Sequence, residues 1–426
     1  MVRKLLGTTI VIAMLTIMVQ VRPGFAATIC VNPAGSGGCL ATIGAAVAAA
    51  SPGDTIVVAV GTYNEQVTLT ESLSLVGAGA GKSIIDANGQ PTGITIGTTS
   101  APTSGVTVAG FTVENADFEG ILIQNATGVA VLNNLVQHNN RSLTAGECPG
   151  LPSQETLEGF DCGEGIHLLG VDHSTISGNT SVNNAGGILL SDDAVGPTHD
   201  NLISGNRVYN NAADCGITLA SHPTCAPPAT CSTAPYGVYH NTISNNVSNH
   251  NGTAAEGGAG VGIFDSVPGT SNYGNVIVGN ILTNNGLPGV AMHSHAPDQN
   301  LNDNQITGNT IYGNGADNGD TTTPGKTGIN VFTSGGSPVT GTVISGNSIS
   351  NEKVGVFVSD ISGTDVEAHN NNLFGGSTTT GIDNGGAGSV NGTANWWGCP
   401  TGPGASGCSK VAGTVAVSPV LPQPVQ

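Results

Sequence analysis

The sequence predicts an all-β solenoid, because it combines a composition suited to strands and turns with two short motifs that alternate along the chain. It has 426 residues, of which 65 are glycine and only 9% are charged. Asparagine, threonine, serine and glycine carry the polar content, and these residues form turns and strand ends better than helices. This composition excludes a helical bundle, and glycine shows no three-residue period that would indicate collagen.

The first motif is an isoleucine followed by a small or β-branched residue, a glycine and an asparagine. Its asparagines and those of looser copies lie 24 to 45 residues apart. An asparagine after a glycine is typical of a turn that needs a positive φ or a side chain that bonds the backbone. Stacked coils would place these asparagines in a ladder, each amide bonded to its neighbour. They are Asn134, Asn179, Asn206, Asn246, Asn280, Asn309, Asn347 and Asn371.

The second motif is a glycine followed by an aliphatic residue, any residue and a second aliphatic residue. In all eight copies the first and third residues after the glycine are aliphatic, so we expect them to point inward and the second to point outward. A barrel or sandwich would give no reason for such regular alternation of the two motifs. A coil of about 24 to 30 residues with short strands is typical of a β-solenoid. The copies begin at Gly120, Gly165, Gly187, Gly216, Gly260, Gly289, Gly328 and Gly355.

The two ends of the chain differ from these repeats. Residues 1–26 are predicted to be an export signal, with Arg3 and Lys4 before an apolar stretch and small residues at its end; a retained anchor helix is the alternative. Residues 27–53 are predicted to be an N-terminal cap with a short helix over 42–50, and 54–394 the solenoid. Residues 395–426, with both tryptophans, are predicted to form a lid and a proline-rich tail.

Charge and cysteine content indicate an exported protein that does not bind nucleic acid. The chain has 28 acidic and 9 basic residues, which gives a net charge of −19. Beyond residue 26 no apolar run approaches the roughly 20 residues of a spanning helix, so no membrane partner is expected after signal cleavage. Nine cysteines in a secreted, extracellular or periplasmic protein suggest disulfides, with zinc as the weaker alternative. The close pairs are Cys30/Cys39, Cys148/Cys162 and Cys399/Cys408, and Cys215, Cys225 and Cys231 leave one over.

With these motifs the chain resembles the right-handed parallel β-helix proteins of the pectin-lyase-like superfamily, and it looks closest to the NosD-like repeat group. The segments Ser51-Pro-Gly-Asp-Thr-Ile-Val-Val, Gly61-Thr-Tyr-Asn-Glu and Leu75-Val-Gly-Ala-Gly are similar to the start of many such proteins, and Asn395-Trp-Trp-Gly to their end. The resemblance covers roughly residues 40 to 400. It implies the fold, and it leaves lyases, hydrolases, epimerases, adhesins and uncharacterised exported proteins open.

Ionisable residues follow the second motif in four consecutive coils. Since neighbouring coils lie about 4.8 Å apart, we expect these residues within roughly 15 Å of one another in one outward groove. Carboxylates beside imidazoles support proton transfer near neutral pH. The residues predicted to be catalytic are Asp192, Asp193, His222, Asp265, His293 and His295.

A second set lies six residues before the ladder asparagines, where the next strand begins. It contains His173, Asp200, His240 and Asp303, with His199 beside Asp200. We expect this set to lie across a turn from the first one, as a wall of the same groove. The residues predicted to bind substrate are His199, Asp200, His240 and Asp303.

The expected function is carbohydrate cleavage by acid and base chemistry, of glycoside hydrolase or polysaccharide lyase type, with a polysaccharide or other glycan as partner. The pair Asp192-Asp193 with His222 one coil later is similar to the acidic pair and histidine of polygalacturonase-type hydrolases. Their downstream Arg-Ile-Lys element is absent, which argues against a uronate substrate. No cofactor is certain, although Ca²⁺ is possible in a lyase. The alternatives are a non-catalytic surface or adhesion solenoid and a NosD-like metal-loading accessory protein.

Overall fold

The structure is a right-handed parallel β-helix, as the sequence predicts. This computed structural model describes residues 26–139, 163–192, 195–221, 236–254, 257–265, 268–319, 322–360 and 365–425. Nearly all of the predicted export signal lies outside these ranges. Each coil contributes one strand to each of three sheets, and every pairing between the named strands is parallel.

The three sheets are called A, B and C in the order in which a coil passes through them. Sheet A has the strands Thr28–Val31, Thr55–Val58, Ser74–Gly77, Thr107–Ala109, Ala130–Leu132, Thr175–Ser177, Leu202–Ser204, Thr242–Ser244, Val276–Val278, Gln305–Thr307, Thr342–Ser345, Asp365–His369, Ser389–Asn391 and Val415–Ala416. Sheet B has the strands Gly61–Tyr63, Ser83–Asp86, Thr112–Glu114, Leu135–Gln137, Thr180–Val182, Arg207–Tyr209, Val247–Asn249, Ile281–Thr283, Thr310–Tyr312, Ser348–Ser350 and Asn372–Phe374. Sheet C has the strands Val67–Leu69, Thr92–Ile96, Glu119–Thr127, Ile166–Asp172, Ile188–Ser191, Ile217–Ser221, Val261–Asp265, Val290–Ser294, Thr327–Thr333, Val354–Asp360, Thr380–Asn384 and Lys410–Ala412, joined by the short strands Thr103–Ser104, Thr198–His199 and Val238–Tyr239.

The core is a stack of aliphatic columns, because the coils repeat in register. Ile188 pairs with Ile217, and Leu190 with Leu219, in adjacent strands of sheet C. All four side chains are buried in one cluster that runs through the solenoid, which confirms the predicted inward positions. The glycine that opens each sheet C strand is needed for close approach of the coils. A Cβ added at Gly187 would lie 2.1 Å from the carbonyl oxygen of Gly216.

The predicted asparagine ladder forms at the turn from sheet A to sheet B. Asn206 donates from its backbone N–H to Asn246 Oδ1 at 2.9 Å and from its Nδ2 to the same atom at 3.0 Å. Its Nδ2 also donates to the carbonyl of Ile176 at 2.8 Å. The pattern continues from coil to coil, so each buried amide satisfies backbone groups that the turn removes from the sheets. Its members are Asn134, Asn179, Asn206, Asn246, Asn280, Asn309, Asn347, Asn371 and Asn395.

Two further ladders, which the sequence analysis missed, stabilise the other two turns. The turn from sheet C to sheet A stacks Asn201, Asn241, Asn275 and Asn304. The turn from sheet B to sheet C stacks Asn139, Asn184, Asn211, Asn251, Asn285 and Asn314, and it ends on a glutamate, Glu352. In most coils a residue with positive φ precedes the ladder residue. Each turn therefore bends the chain from one sheet into the next by means of one residue with positive φ, followed by one buried ladder side chain.

The described residues contain one helix, Ile43–Ala49, whose N-terminus is capped by Thr42 as its side chain accepts from the Ala45 N–H. It packs at the first coils and confirms the predicted capping helix. At the other end Trp397 is fully buried, and a Cβ added at Gly381 would meet its ring at 2.9 Å. The predicted lid therefore closes the core. No helix in the described ranges has the length and apolar character needed to cross a membrane.

Two of the three predicted disulfides lie in the described residues and are formed. Cys30 bonds to Cys39 and Cys399 to Cys408, one at each end of the solenoid. Cys215 is a buried free thiol whose pKa lies well above its ordinary value because burial disfavours the thiolate. Cys148, Cys162, Cys225 and Cys231 lie outside the described residues.

Removing one ladder amide should lower thermal stability measurably. Replacing Asn246 by Ala leaves two donors of Asn206 and the carbonyl of Ile203 without their partner. Each unsatisfied buried group costs roughly 1–3 kcal/mol, so we expect a clear drop in Tm by calorimetry. Asn318→Ala is the control, since Asn318 is an exposed asparagine in a loop. Equal Tm values for the two variants would contradict a stabilising role for the ladder.

Candidate functional site

An exposed edge of polar and aromatic side chains follows the turn from sheet C to sheet A. One column of this edge has positive φ in every coil: His173 at 49°, Asp200 at 55°, His240 at 54° and Asp303 at 60°. Glycine occupies the same place in other coils, at Gly128, Gly274 and Gly341. Asparagine, aspartate and histidine are the non-glycine residues that adopt this conformation most readily. The turn therefore selects residue types that can also bind ligands.

The residues just before this column stack on one another along the solenoid. The ring of His199 lies parallel to that of Tyr239, with centroids 4.9 Å apart, and Tyr239 stacks on Tyr273 at 5.0 Å. His173 and His240 approach this stack edge-on, with centroids 6.0 Å from His199 and 5.3 Å from Tyr239. The stack holds the imidazoles in fixed orientations at the surface.

Two imidazoles of this edge are each oriented by a carboxylate. His173 Nδ1 lies 2.7 Å from Asp172 Oδ1, and His199 Nδ1 lies 2.8 Å from Asp200 Oδ2. The His173 side chain is 67% exposed and that of His199 22%. The hydrogen bond to Asp172 raises the pKa of His173, since the carboxylate favours the imidazolium.

These side chains lie at distances suited to a metal ion. One ligand atom from each of His173, His199 and Asp200 lies within 4.8 Å of the other two. Imidazole nitrogens and a carboxylate oxygen are ligands for Cu²⁺ and Zn²⁺. All three belong to one set predicted from the sequence, and the structure brings them together. His240 lies on the next coil, and Asp303 is exposed farther along the same column.

The residues predicted to be catalytic are divided between the two faces of sheet C. Asp265 pairs with Ser294, whereas His293 pairs with Phe264. Because side chains alternate along a strand, Asp265 follows the inward positions of Val261 and Ile263, and His293 follows an outward position. Asp192, Asp265 and His293 are all fully buried, so the described structure does not place them in an open groove. Their catalytic role stays a prediction.

Asp192 and Asp265 belong to a polar row at the ends of the sheet C strands. Asp192 Oδ2 accepts from Ser221 Oγ at 2.7 Å, and Ser221 pairs with Asp265 on the next coil. The two aspartates are thus two strands apart, about 10 Å at ordinary strand spacing. Asp193 and His222 lie outside the described residues.

His293 forms a buried contact group with other residues on the outer face of sheet C. Its Nε2 lies 3.0 Å from Asn330 Nδ2 and 3.2 Å from Asp317 Oδ2. The rings of Phe264 and Phe332 meet it edge-on at 5.1 and 5.5 Å, and His295 lies at 5.6 Å. His293 and His295 are therefore neighbours, as predicted, but they face away from Asp265.

A second buried polar cluster on this face was not identified from the sequence. His167 Nδ1 lies 3.2 Å from Glu119 Oε1, and His167 Nε2 lies 2.8 Å from Ser191 Oγ. A carboxylate oxygen of Glu164 lies within 4.8 Å of the ligand atoms of Glu119 and His167. This connectivity of hydroxyl, imidazole and carboxylate can relay a proton. The signal in the sequence for this cluster is His167, because it occupies the outward position of the second motif in the coil that begins at Gly165.

Comparisons with known proteins agree with the fold. A family model described as "Periplasmic copper-binding protein (NosD)" matches residues 47–256. This match confirms the predicted likeness to the NosD repeat group. A comparison with curated proteins gave no match.

Several solved structures are similar to the chain at low sequence identity. The Dettilon tailspike protein (gp208) is 13% identical with a TM-score of 0.55, and the match covers 85% of this chain and 62% of that one. The catalytic unit of a thermostable GH87 α-1,3-glucanase from Streptomyces thermodiastaticus strain HF3-3 is 16% identical with a TM-score of 0.51, over 88% and 64%. An alginate lyase from Paenibacillus sp. str. FPU-7 is 14% identical with a TM-score of 0.44, over 91% and 99%.

At these identities the similarity shows the fold alone. The chain spans less than two thirds of the tailspike and glucanase structures. The chain is thus a right-handed parallel β-helix protein that resembles the NosD family over residues 47–256.

Proposed function

We propose that this protein binds a transition-metal ion, copper in the first instance, at the edge formed by Asp172, His173, His199 and Asp200. The observation that carries the proposal is the convergence of ligand atoms from His173, His199 and Asp200 within 4.8 Å at the surface. The edge lies inside residues 47–256, which match a family described as copper-binding. This function corresponds to the metal-loading alternative of the sequence analysis.

The hydrogen bonds of the edge support metal binding. Histidines that bind metals usually donate their second ring N–H to a carboxylate or carbonyl, which fixes the ring and raises its basicity. Asp172 contacts His173 in this way at Nδ1, whereas Asp200, which lies 2.8 Å from His199 Nδ1, is itself one of the three converging ligands. Among divalent ions of the first row, sites with such donors bind Cu²⁺ most tightly.

Copper titration of paired variants tests the proposal. We expect the wild-type protein to bind one Cu²⁺ ion with a spectrum showing nitrogen ligands, and the double variant His173→Ala/His199→Ala to lose at least about tenfold in affinity, since second-sphere changes alone cost 10–100-fold. His250→Ala is the matched control, because His250 is an exposed histidine with positive φ at the turn from sheet B to sheet C. Equal affinity of the double variant and the control would overturn the assignment.

The pH dependence of copper binding should reflect the raised pKa of His173. A protonated imidazole cannot bind a metal, so affinity should fall as pH decreases through this pKa, beginning above the ordinary histidine value near 6.5. Asp172→Asn removes the carboxylate charge that strengthens this hydrogen bond and favours the imidazolium, so the fall should move to lower pH. NMR titration of His173 with calorimetry at several pH values measures both effects. An unchanged profile in Asp172→Asn would contradict this account.

Glycan cleavage is the second candidate, favoured by the buried carboxylates of Glu119 and Glu164. Their oxygens lie within 4.8 Å of each other beside His167. Paired carboxylates of glycosidases lie about 5 Å apart in enzymes that retain configuration. The cluster is fully enclosed, and a polymer must reach it for reaction, so we place this function second.

A polysaccharide screen tests this second candidate, with and without Ca²⁺. Activity that is lost in Glu119→Gln and Glu164→Gln, but kept in Glu367→Gln, would support cleavage at this cluster. Glu367 is a suitable control because its side chain is 49% exposed. Loss of activity in Asp192→Asn and His293→Ala instead would support the residues predicted from the sequence. No activity on neutral or acidic glycans would exclude this candidate.

A further inference from the structure

The ladder at the turn from sheet B to sheet C ends on a carboxyl group, that of Glu352. Glu352 Oε1 accepts from the backbone N–H of Asn314 at 2.9 Å and from its Nδ2 at 3.1 Å. Two coils earlier, Asn285 Oδ1 accepts from the same two groups of Asn251 at 3.1 and 3.2 Å. The carboxyl group therefore provides the acceptor of the ladder amide that it replaces.

The donor of the ladder amide has a counterpart only in a protonated carboxyl group. Each of the three preceding members donates from Nδ2 to the central carbonyl of the sheet B strand in the coil before it: Asn251 to Val208, Asn285 to Ser248 and Asn314 to Leu282. The equivalent carbonyl for Glu352 is that of Ile311, in the strand Thr310–Tyr312. An ionised carboxylate only accepts hydrogen bonds, whereas a protonated one can donate from Oε2.

The surroundings of Glu352 disfavour its ionised form. The residue is 5% exposed, and within the described structure its Oε2 is buried without a hydrogen-bond partner. It borders a small cavity of about 10 Å³, room for about one water molecule, whose walls also include Leu373, Thr379, Gly381 and Ser409. A buried carboxylate costs far more free energy than a buried carboxyl group unless it is paired, so this position favours the protonated form.

The charged groups near Glu352 do not offset its burial. Burial raises the pKa of Glu352 to about 7, although hydrogen bonds from Asn314 and the charge of Lys326 lower it. Burial also raises the pKa of Asp383, on the next strand of sheet C. The charged residues on the segments around Glu352 are Asp317, Lys326, Lys353, Asp383 and Lys410. Asp317 contacts His293 instead, at 3.2 Å.

The coils that follow Glu352 lack the next step of this ladder. The strand Asn372–Phe374 is followed by Gly375 and Gly376, and Gly376 stands where the other coils have a ladder side chain. The last coils, residues 372–416, are therefore held at this turn by sheet pairing and by the step between Asn314 and Glu352. A change at Glu352 acts where the solenoid has fewest alternative bonds.

We propose that Glu352 is a pH-sensitive latch for the last coils of the solenoid. With its proton, the group accepts from Asn314 and donates to the carbonyl of Ile311, as a ladder asparagine would. Without its proton, a buried anion faces a carbonyl oxygen, and the last coils open more often because opening lets water reach the charge. The earlier coils have asparagine at this position and stay closed at either pH.

Hydrogen exchange measured by mass spectrometry, corrected for the intrinsic effect of pH on exchange, tests the proposal. The closed state holds the proton up to about pH 7, whereas the opened state releases it above the ordinary value of 4.5. The opening constant of residues 372–384 should therefore increase by up to about tenfold per pH unit between these values and become constant above about pH 7. The early strand Thr107–Ala109 is the internal control and should show no such increase.

Two variants assign the effect to one carboxyl group. Glu352→Gln keeps an acceptor and a donor and cannot ionise, so residues 372–384 should keep their low-pH opening constant. At pH 8 this variant should open less often than the wild type by on the order of 100-fold. Asp383→Asn is the matched control, because Asp383 is a half-buried carboxyl group of the same coils. It should keep the pH dependence of the wild type.

Three results would overturn the proposal: a flat pH profile in the wild type, the wild-type profile in Glu352→Gln, or loss of the profile in Asp383→Asn. NMR titration of the Glu352 carboxyl carbon in the wild type gives a readout that needs no variant. It should show a midpoint near pH 7, and a midpoint near the ordinary value of 4.5 would contradict the latch.

Discussion

The buried amide that bonds to its neighbour on the next coil is the interaction on which the rest of this structure depends. At each turn the chain leaves one sheet and enters another, and some backbone groups lose their strand partners. Asn206 satisfies such groups by bonding Ile176 and Asn246 at once. Since an unsatisfied buried group costs about as much as several good contacts contribute, the ladders set the register of the coils. The aliphatic columns then follow from the same register.

The ladders also determine where chemistry can occur. The residue before a ladder member usually has positive φ, which restricts it to glycine, asparagine, aspartate or histidine in nearly all coils. At the turn from sheet C to sheet A, His173, Asp200 and His240 fill these positions and project at the surface. At the turn from sheet B to sheet C, the ladder itself ends on Glu352 instead of asparagine. Ionisable side chains thus replace glycine and asparagine at positions that the fold already orients.

The fold was predictable from the sequence because its repeat is local and strict. The glycine of each sheet C motif, the aliphatic pair after it and one of the three ladders were identified from spacing alone. The shared groove was not predictable in this way, because its proposed members lie at different distances from their motif glycines and do not form one row. Asp192 and Asp265 are five residues after their glycines and His293 is four, so strand alternation places them on opposite faces. The Glu119–His167–Ser191 group is not evident from the sequence, because its members come from three coils and lie at three different distances from their motif glycines.

A solenoid allows these groups to differ between coils without loss of the fold. Each coil contacts chiefly its neighbours, so stability is close to a sum of local terms and a change in one turn remains local. The carboxylates beside His173 and His199 favour a cation at that one edge, and the neighbouring coils keep the same framework around it.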